Sequence, residues 1–288
     1  MDPFPSPLRY PGGKGKLANF IKLVFKLNNL LDGNYVEPYA GGASIALKLL
    51  FGEYVQNIYI NDIDRSIYSF WYSVLNETES LCKLISDSPV SIKVWHKQKN
   101  IQLNLDNYST LEIAFSTFFL NRTNRSGIIN GGIIGGKGQN GKWKLDARFN
   151  KKELLRRITK IALYRERILL YNMDASKFIR KILPTLTSKT LVYFDPPYFV
   201  KGKELYANHY QQEDHEIIAE LIKKKVKNHW IVSYDNNPQI IKLYKGYRDL
   251  SYFLSYSAAI KYRGSEVMFF SKKLKIPNVD KPTDIKAA

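Results

Sequence analysis

The sequence predicts an α/β fold: a mostly parallel, Rossmann-like sheet closed by an antiparallel C-terminal hairpin, with a helical and β-hairpin segment inserted into it. Three observations predict this. Short apolar runs such as Leu191-Val192-Tyr193-Phe194 have the continuous character of parallel strands buried on both faces. Several runs end in an acid and turn residues, at Glu37, Asp62, Asp174 and Asp195, which puts carboxylates where open α/β sheets bind ligands. Helical periodicity fills most of the intervals between them.

The N-terminal stretch Pro7-Leu8-Arg9-Tyr10-Pro11-Gly12-Gly13-Lys14-Gly15-Lys16 holds three glycines and three basic residues in ten. An amphipathic helix from Leu17 to about Leu31 follows, closed by Asp32-Gly33. A glycine-rich segment before a helix can lend N–H groups and cations to an anion, but the Walker spacing is absent. Tyr35-Val36-Glu37-Pro38-Tyr39-Ala40-Gly41-Gly42-Ala43-Ser44 reads as strand, small-residue turn and helix start. About twenty residues on, the strand Asn57-Ile58-Tyr59-Ile60-Asn61 ends at Asp62, an acid placed to accept from two ribose hydroxyls. Together these point to an adenosine-type cofactor. The missing G-x-G-x-x-G fingerprint disfavours NAD, and the competing reading of Asp62 is an ordinary strand-end turn acid.

Helices are expected at Ile67–Leu75, Thr78–Ser86 and Leu111–Leu120, with the polar section from His96 to Asn107 left unassigned. Residues 121–152 change character, with eight Lys or Arg against Asp146 alone and seven of the chain's 17 glycines. Ile128-Ile129 and Ile133-Ile134, punctuated by glycine pairs, suggest a β-hairpin or an extended flexible loop. Such a segment offers charge for phosphates and backbone freedom to fit a groove, against the plainer reading of a solvated loop.

A basic amphipathic helix is expected over Lys152–Leu169, and a strand from Ile168 ending at Asp174, whose carboxylate could accept from an adenine amine. In Asp195-Pro196-Pro197-Tyr198 the two prolines end the strand and fix a rigid corner. A planar NH2 group suits that corner: two protons for the Asp195 carboxylate and a neighbouring carbonyl, and a flat face for Tyr198. Read alone, the same stretch is equally a strand followed by a proline turn. A helix over Asp214–Lys227, a strand Trp230–Tyr234, and antiparallel strands Tyr252–Tyr256 and Glu266–Phe270 joined by a turn at Lys261-Tyr262-Arg263-Gly264 complete the sheet.

Composition narrows the classes. The chain has 288 residues, 44% hydrophobic, enough for a proper core. Its 44 Lys and Arg against 26 acids give a net charge of +18, which favours a polyanionic partner. No apolar run is long enough to span a bilayer and no secretory signal is visible at the N-terminus. Cys82, the single cysteine, has no internal disulfide partner, so a cytoplasmic setting is expected. His96, His209, His215 and His229 lack metal-ligand spacing.

The motifs in this order and spacing resemble the Dam-like (α-class, D12) DNA adenine-N6 methyltransferases, over about residues 7–271. The resemblance rests on Arg9-Tyr10-Pro11-Gly12-Gly13-Lys14, on Glu37-Pro38-Tyr39-Ala40-Gly41-Gly42, on Asp62, on the insert, and on Asp195-Pro196-Pro197-Tyr198. It implies a class I S-adenosylmethionine-dependent methyltransferase domain at residues 1–75 and 153–276, a target-recognition domain at 76–152 and a flexible tail at 277–288. It also implies S-adenosyl-L-methionine as cofactor, S-adenosyl-L-homocysteine as product, and no metal. Tyr10, Lys14, Glu37, Pro38, Tyr39, Ala40, Gly41, Asp62 and Asp174 would form the cofactor pocket. Arg9, Lys16, Arg122, Arg125, Ser126, Asn130, Lys137, Lys142 and Arg148 would meet duplex DNA. The expected protein is a monomer in a bacterial or phage-infected cell, associated with DNA, and a cognate restriction endonuclease on a separate chain is a partner left open.

Two departures stand out. Ala43 replaces a frequent glycine in the cofactor loop. The recognition motif Asn-Arg-x-x-Tyr-Asn-Gly-Leu-x-Arg of GATC readers has Arg125 at its Tyr, Ser126 at its second Asn and Asn130 at its last Arg, so GATC is not carried over. On this reading Asp195 and the Pro196 carbonyl each accept a proton of adenine N6, the base is flipped from the duplex onto Tyr198, and methyl transfer is direct and in line. Cytosine-N4 methylation is the nearest alternative, though Asp195 stands where such enzymes more often carry Ser. RNA methylation and a catalytically silent DNA-binding protein on this fold are the others. Cytosine-C5 chemistry is excluded, because Cys82 lies in Ser80-Leu81-Cys82-Lys83 rather than after a proline.

Overall fold

The structure, a computed structural model, describes residues 4–10, 14–199, 210–256 and 262–285. Its seven strands are β1 (Gly33–Glu37), β2 (Val55–Asn61), β3 (Ile168–Tyr171), β4 (Thr190–Phe194), β5 (His229–Asp235), β6 (Arg248–Tyr256) and β7 (Tyr262–Phe270). They form one sheet in the order β3-β2-β1-β4-β5-β7-β6. The first five run parallel, and β7 pairs antiparallel with both β5 and β6.

Alternation along each central strand explains why the sheet is covered on both faces. Tyr35, Leu191, Tyr193 and Ile231 pack into one core cluster, with the helices α1 (Ala18–Leu27), α2 (Ser44–Phe51) and α3 (Arg65–Asn76). Val36, Val192, Phe194 and Val232 pack into the other. There they meet α8 (Ala175–Lys181), α9 (Gln212–Lys225) and α10 (Pro238–Leu243). Strand order reverses beside β1 and β4, so the switch point lies between Glu37 and Asp195. That is where such sheets leave a crevice at the carboxyl ends.

Between β2 and β3 the chain forms α4 (Thr78–Asp87), α5 (Ile92–Leu103), α6 (Thr110–Thr123) and α7 (Lys151–Ala162). From Ile113 to Asn121 every residue of α6 is buried, because α3, α4 and α5 all pack on it. Phe118, Phe119 and Phe149 belong to the same cluster as the sheet face, so this helical layer has no separate core.

Several elements differ from their expected form. The polar section left unassigned is mostly α5: the Ser91 hydroxyl caps it by accepting from the Val94 N–H, and Trp95, Gln98 and Ile101 form its buried stripe. The first helix ends at Leu27 rather than Leu31, since Asn29 turns left-handed and the Leu30 N–H returns to the Phe25 carbonyl. The basic helix stops at Ala162, well before Leu169, because a tight turn at Arg165–Arg167 is needed to start β3 in register with β2.

In place of a β-hairpin, the glycine-rich insert makes a single antiparallel bridge, Asn124 to Ile133. Side chains supply the hydrogen bonds a ladder would have made. The Asn124 amide donates to the Ile128 and Ile129 carbonyls and accepts from Trp95 Nε1. Gln139 donates to the Ile134 and Gly136 carbonyls and accepts from the Leu145 N–H.

At the C-terminal pair, Tyr262, Arg263 and Gly264 belong to β7 rather than to a turn. Lys261, like His209 and Pro11-Gly12-Gly13 of the N-terminal motif, lies outside the described residues. Along the tail, Val279 and Ile285 rest on the core and Asn19 donates to the Ile285 carbonyl, anchors its polar composition does not suggest.

Candidate active site

Strand ends deliver the acids. Glu37 is the last residue of β1 and Asp62 follows β2; Asp174 lies beyond β3, Asp195 follows β4, and Asp235 ends β5. All five lie at the carboxyl edge of the parallel strands, so topology alone gathers the four sequence-predicted acids, with Asp235 as a fifth.

The turn after β1 is built around Gly41. Its N–H donates to Asp62 Oδ2 at 2.9 Å, its carbonyl accepts from Trp71 Nε1 at 2.9 Å, and its φ is +46°. The Tyr10 ring lies against its Cα, so closely that a methyl group there would come within 2.7 Å of the ring. Only glycine satisfies both the dihedral and the approach. Asn61 ties this turn to the end of β3: its amide donates to the Pro38 and Met173 carbonyls, and its oxygen accepts from the Met173 N–H. Ala40 donates back to the Asn61 carbonyl.

Glu37 and Asp62 are the acids of this turn. Glu37 is buried, and burial pushes its carboxyl up to about 8 against hydrogen bonds from Tyr35 and the Ala46 N–H, with Asp195 adding a little to the rise. Asp62 is pushed up to about 7 by burial and by Asp64, against the N–H bonds of Asp64 and Gly41. Raised acids at the carboxyl edge of a parallel sheet suit a ligand that brings an ammonium group and hydroxyls. Tyr39 hydrogen-bonds Tyr210 at 2.9 Å, and exposed Asp174 caps α8 through the Ser176 N–H.

The corner after β4 is more tightly wired than its sequence shows. Asp195 Oδ1 accepts from the Ser233 hydroxyl at 2.7 Å and pairs with Lys14 Nζ at 3.1 Å. Ser233 in turn accepts from the Tyr193 hydroxyl at 2.9 Å. Among the described residues, Oδ2 takes part in no hydrogen bond, and the Asp195 side chain keeps 25% of its surface exposed. Pro196 is buried and Pro197 half-buried, so the rigid corner backs the open carboxylate edge. Such a carboxylate can accept a proton from a planar amine while its other oxygen stays fixed.

Tyr198, expected as a flat stacking face, is buried here, with its hydroxyl donating to Glu266 Oε1 at 2.8 Å and accepting from Lys14 at 2.9 Å. Lys14, expected at the cofactor, thus stands between Asp195, Tyr198 and Glu266. Sequence reading missed Glu266, Ser233, Tyr193, Trp71 and Asn61 in these roles. The one available signal was a glutamate heading the apolar run Val267-Met268-Phe269-Phe270.

The residues expected at DNA divide into two groups. Lys16, Arg125, Asn130, Lys137, Lys142 and Arg148 are exposed, and Ser126 is half-buried at φ 58°. Arg9 and Arg122 instead hold the N-terminal segment on the insert. Arg122 donates to the Arg148 and Pro7 carbonyls, and Arg9 to the Asn124 carbonyl. Asn121 clamps Arg9 from both sides, accepting from its N–H and donating to its carbonyl and that of Gly127. Burial and the neighbouring Arg9, Arg157 and Arg148 push Arg122 down to about 9. Trp143, also missed, is 62% exposed between Lys142 and Lys144, while Trp71, Trp95 and Trp230 are buried.

No helix among the described residues is long and apolar enough to cross a membrane. Among solved structures, a Pyrococcus horikoshii protein described as a candidate RNA methyltransferase is 8% identical at a TM-score of 0.42, covering 89% of this chain and 83% of that one. TrmK of M. capricolum, in complex with S-adenosyl-homocysteine, is 9% identical at 0.38, covering 87% and 69%. TrmN of Thermus thermophilus is 9% identical at 0.37, covering 86% and 47%. A search of curated proteins gave no match. The family model for D12 class N6 adenine-specific DNA methyltransferases, however, matches residues 10–256, a span that takes in Tyr10, the Gly41 turn, the basic insert and the Asp195 corner. The chain therefore belongs to the D12 class N6 adenine-specific DNA methyltransferase family.

Proposed function

We propose that this chain methylates adenine N6 at a specific duplex site with Asp195 as the proton-accepting group, taking the base after it has turned out of the helix. The carrying observation is the state of Asp195: Oδ1 is fixed by Ser233 and Lys14, and Oδ2 faces no described partner. A lone pair delocalised into the purine ring makes N6 a poor nucleophile. The Asp195 carboxylate and the Pro196 carbonyl, accepting one N6 proton each, draw that lone pair out of conjugation. Asp195 then keeps the proton that N6 sheds as the new carbon–nitrogen bond forms. Orientation and preorganised acceptors supply the rate, with no covalent enzyme intermediate.

The residues at the β1–β2 edge fit S-adenosylmethionine. Glu37, buried and pushed up, would hold its ammonium group, and Asp62 its ribose hydroxyls. Tyr10, Pro38, Tyr39, Ala40 and Gly41 shape the pocket, Lys14 serves the Asp195 corner instead, and Asp174 keeps one oxygen for the adenine amine beyond its helix cap. When bound, the cofactor supplies an electrophilic methyl group. Residues 76–152 serve as the recognition part, with Lys137, Lys142 and Arg148 on phosphates and Arg125, Ser126 and Asn130 near bases, while residues 1–75 and 153–276 carry the chemistry.

The test is methylation of unmethylated genomic DNA with labelled cofactor, followed by nucleoside analysis and modification-aware sequencing, for wild type and Asp195→Ala. N6-methyladenine at one short motif, lost in the variant, is the expected result. N4-methylcytosine, or full activity in Asp195→Ala, would sink the proposal.

A further inference from the structure

Glu266 reaches the catalytic corner from the antiparallel side of the sheet, where β7 places it opposite Asp235 of β5 and Tyr252 of β6. Its side chain is fully buried. Oε1 accepts from the Tyr198 hydroxyl at 2.8 Å and lies 3.2 Å from Lys14 Nζ, and Oε2 accepts from the Tyr252 hydroxyl at 2.5 Å. A buried carboxylate costs several kcal/mol in desolvation unless donors surround it, so one placed here in the interior needs a reason. Its partners supply one: Lys14 and Tyr198 both belong to the corner that holds Asp195.

We propose that Glu266 is a positioning residue for methyl transfer, sharing the Lys14 ammonium with Asp195 and pinning Tyr198 so that the open Asp195 oxygen stays aimed at the target amine. This rests on the reading of Asp195 given above. With Asp195 and Glu266 both ionised and Lys14 protonated, these three groups sum to one negative charge. If Glu266 were neutral, Lys14 would have Asp195 as its one charged partner among these groups, and the ammonium would close on it. That would weaken the acceptor and withdraw it from the base. Among the described residues, the titratable groups facing Glu266 include Lys14, Asp195, Tyr193, Tyr198 and Tyr252, with Asp235 opposite it on β5. Neutralising Glu266 removes a negative charge from the cluster that shares the Lys14 ammonium, so the acid limb of the rate moves to lower pH.

The experiment compares wild type, Glu266→Gln and Glu266→Asp on duplexes carrying the methylation site found as above. Single-turnover rate against pH, S-adenosylhomocysteine affinity by calorimetry, and flipping of a 2-aminopurine at the target position are read for each. Glu266→Gln is expected to slow transfer about 100-fold, the scale of a mispositioned catalytic group, with product affinity changed less than about 3-fold. Its acid limb should move to lower pH. Glu266→Asp, which keeps the charge one methylene short, should recover part of the rate and return the limb to its wild-type position.

A Glu266→Gln enzyme with wild-type rate and limb overturns the proposal and leaves the Asp195 reading intact. Full activity in Asp195→Ala overturns both. If Glu266→Gln loses product binding through misfolding, Glu266→Asp decides: a wild-type rate overturns the proposal, and a slowed rate with an unmoved limb and intact product binding supports it.

Discussion

Replacing Gly41 by alanine isolates what holds the cofactor turn. A methyl group there would sit 2.7 Å from Cε1 and Cζ of Tyr10 and 2.9 Å from Cδ1, on backbone at φ +46°. The backbone has little room to yield, because the Gly41 N–H is bound to Asp62 and its carbonyl to Trp71. The left-handed conformation costs a non-glycine residue roughly 1 kcal/mol, and overpacking against the ring a further 1–3 kcal/mol or so. Gly41→Ala is therefore expected to lose about 2–4 kcal/mol in urea unfolding. Adding Tyr10→Ala should recover the overpacking part, referenced to Tyr10→Ala alone, and leave the dihedral part. A Gly41→Ala protein within about 0.5 kcal/mol of wild type, or a double variant with no recovery, would refute the reasoning.

Ala43, also left-handed at φ 47°, should gain roughly 0.5–1 kcal/mol on change to glycine, read by the same unfolding. Glu37 makes stability depend on pH. Its folded value of about 8 lies above the ordinary 4.5, so its contribution is complete below 4.5 and is lost as pH rises through about 8. Wild type should therefore lose a few kcal/mol relative to Glu37→Gln between pH 5 and 8.5, and parallel curves would rule this out. DNA should quench wild-type tryptophan fluorescence, and Trp143→Phe should abolish most of that quenching, because the other three tryptophans are buried. Trp143→Ala should weaken binding to single-stranded DNA by about 1–3 kcal/mol, the value of stacking on an unpaired base. Arg148→Gln, at an exposed side chain of the insert, should leave unfolding within about 1 kcal/mol of wild type while lowering the salt slope of DNA binding by up to about one.

The parallel half of the sheet was legible because each strand carries its own evidence: an apolar run, an acid, then turn residues. Strand order was not, since the placing of β1 between β2 and β4 comes from crossovers rather than from any local run. Local reading failed where side chains did the work of backbone. Glycine pairs around Ile128-Ile129 and Ile133-Ile134 suit hairpin turns, yet Asn124 and Gln139 satisfy the loop's carbonyls and hold it to one bridge. The polar surface of α5 hid its stripe, in which only Trp95, Gln98 and Ile101 are buried.

The site divides along the same line. The strand-end placement of Asp195 and Asp62 was legible because a strand end is a local event. The placement of Glu266 was not, because its contact with Lys14 depends on the β5–β7–β6 register and on a lysine some 250 residues away in sequence. Charge shows this most clearly. The excess of Lys and Arg reads from composition as a single DNA-facing signal, yet Lys14 is consumed by two carboxylates and Arg9 and Arg122 by main-chain carbonyls. Those cations fasten the N-terminal segment to the sheet edge and to the insert. The exposed remainder, Lys137, Lys142, Lys144 and Arg148 around Trp143, then has a fixed base to project from. A positive surface supplies affinity for any phosphate backbone, and only side chains held in a defined place against that backbone can add discrimination between sequences.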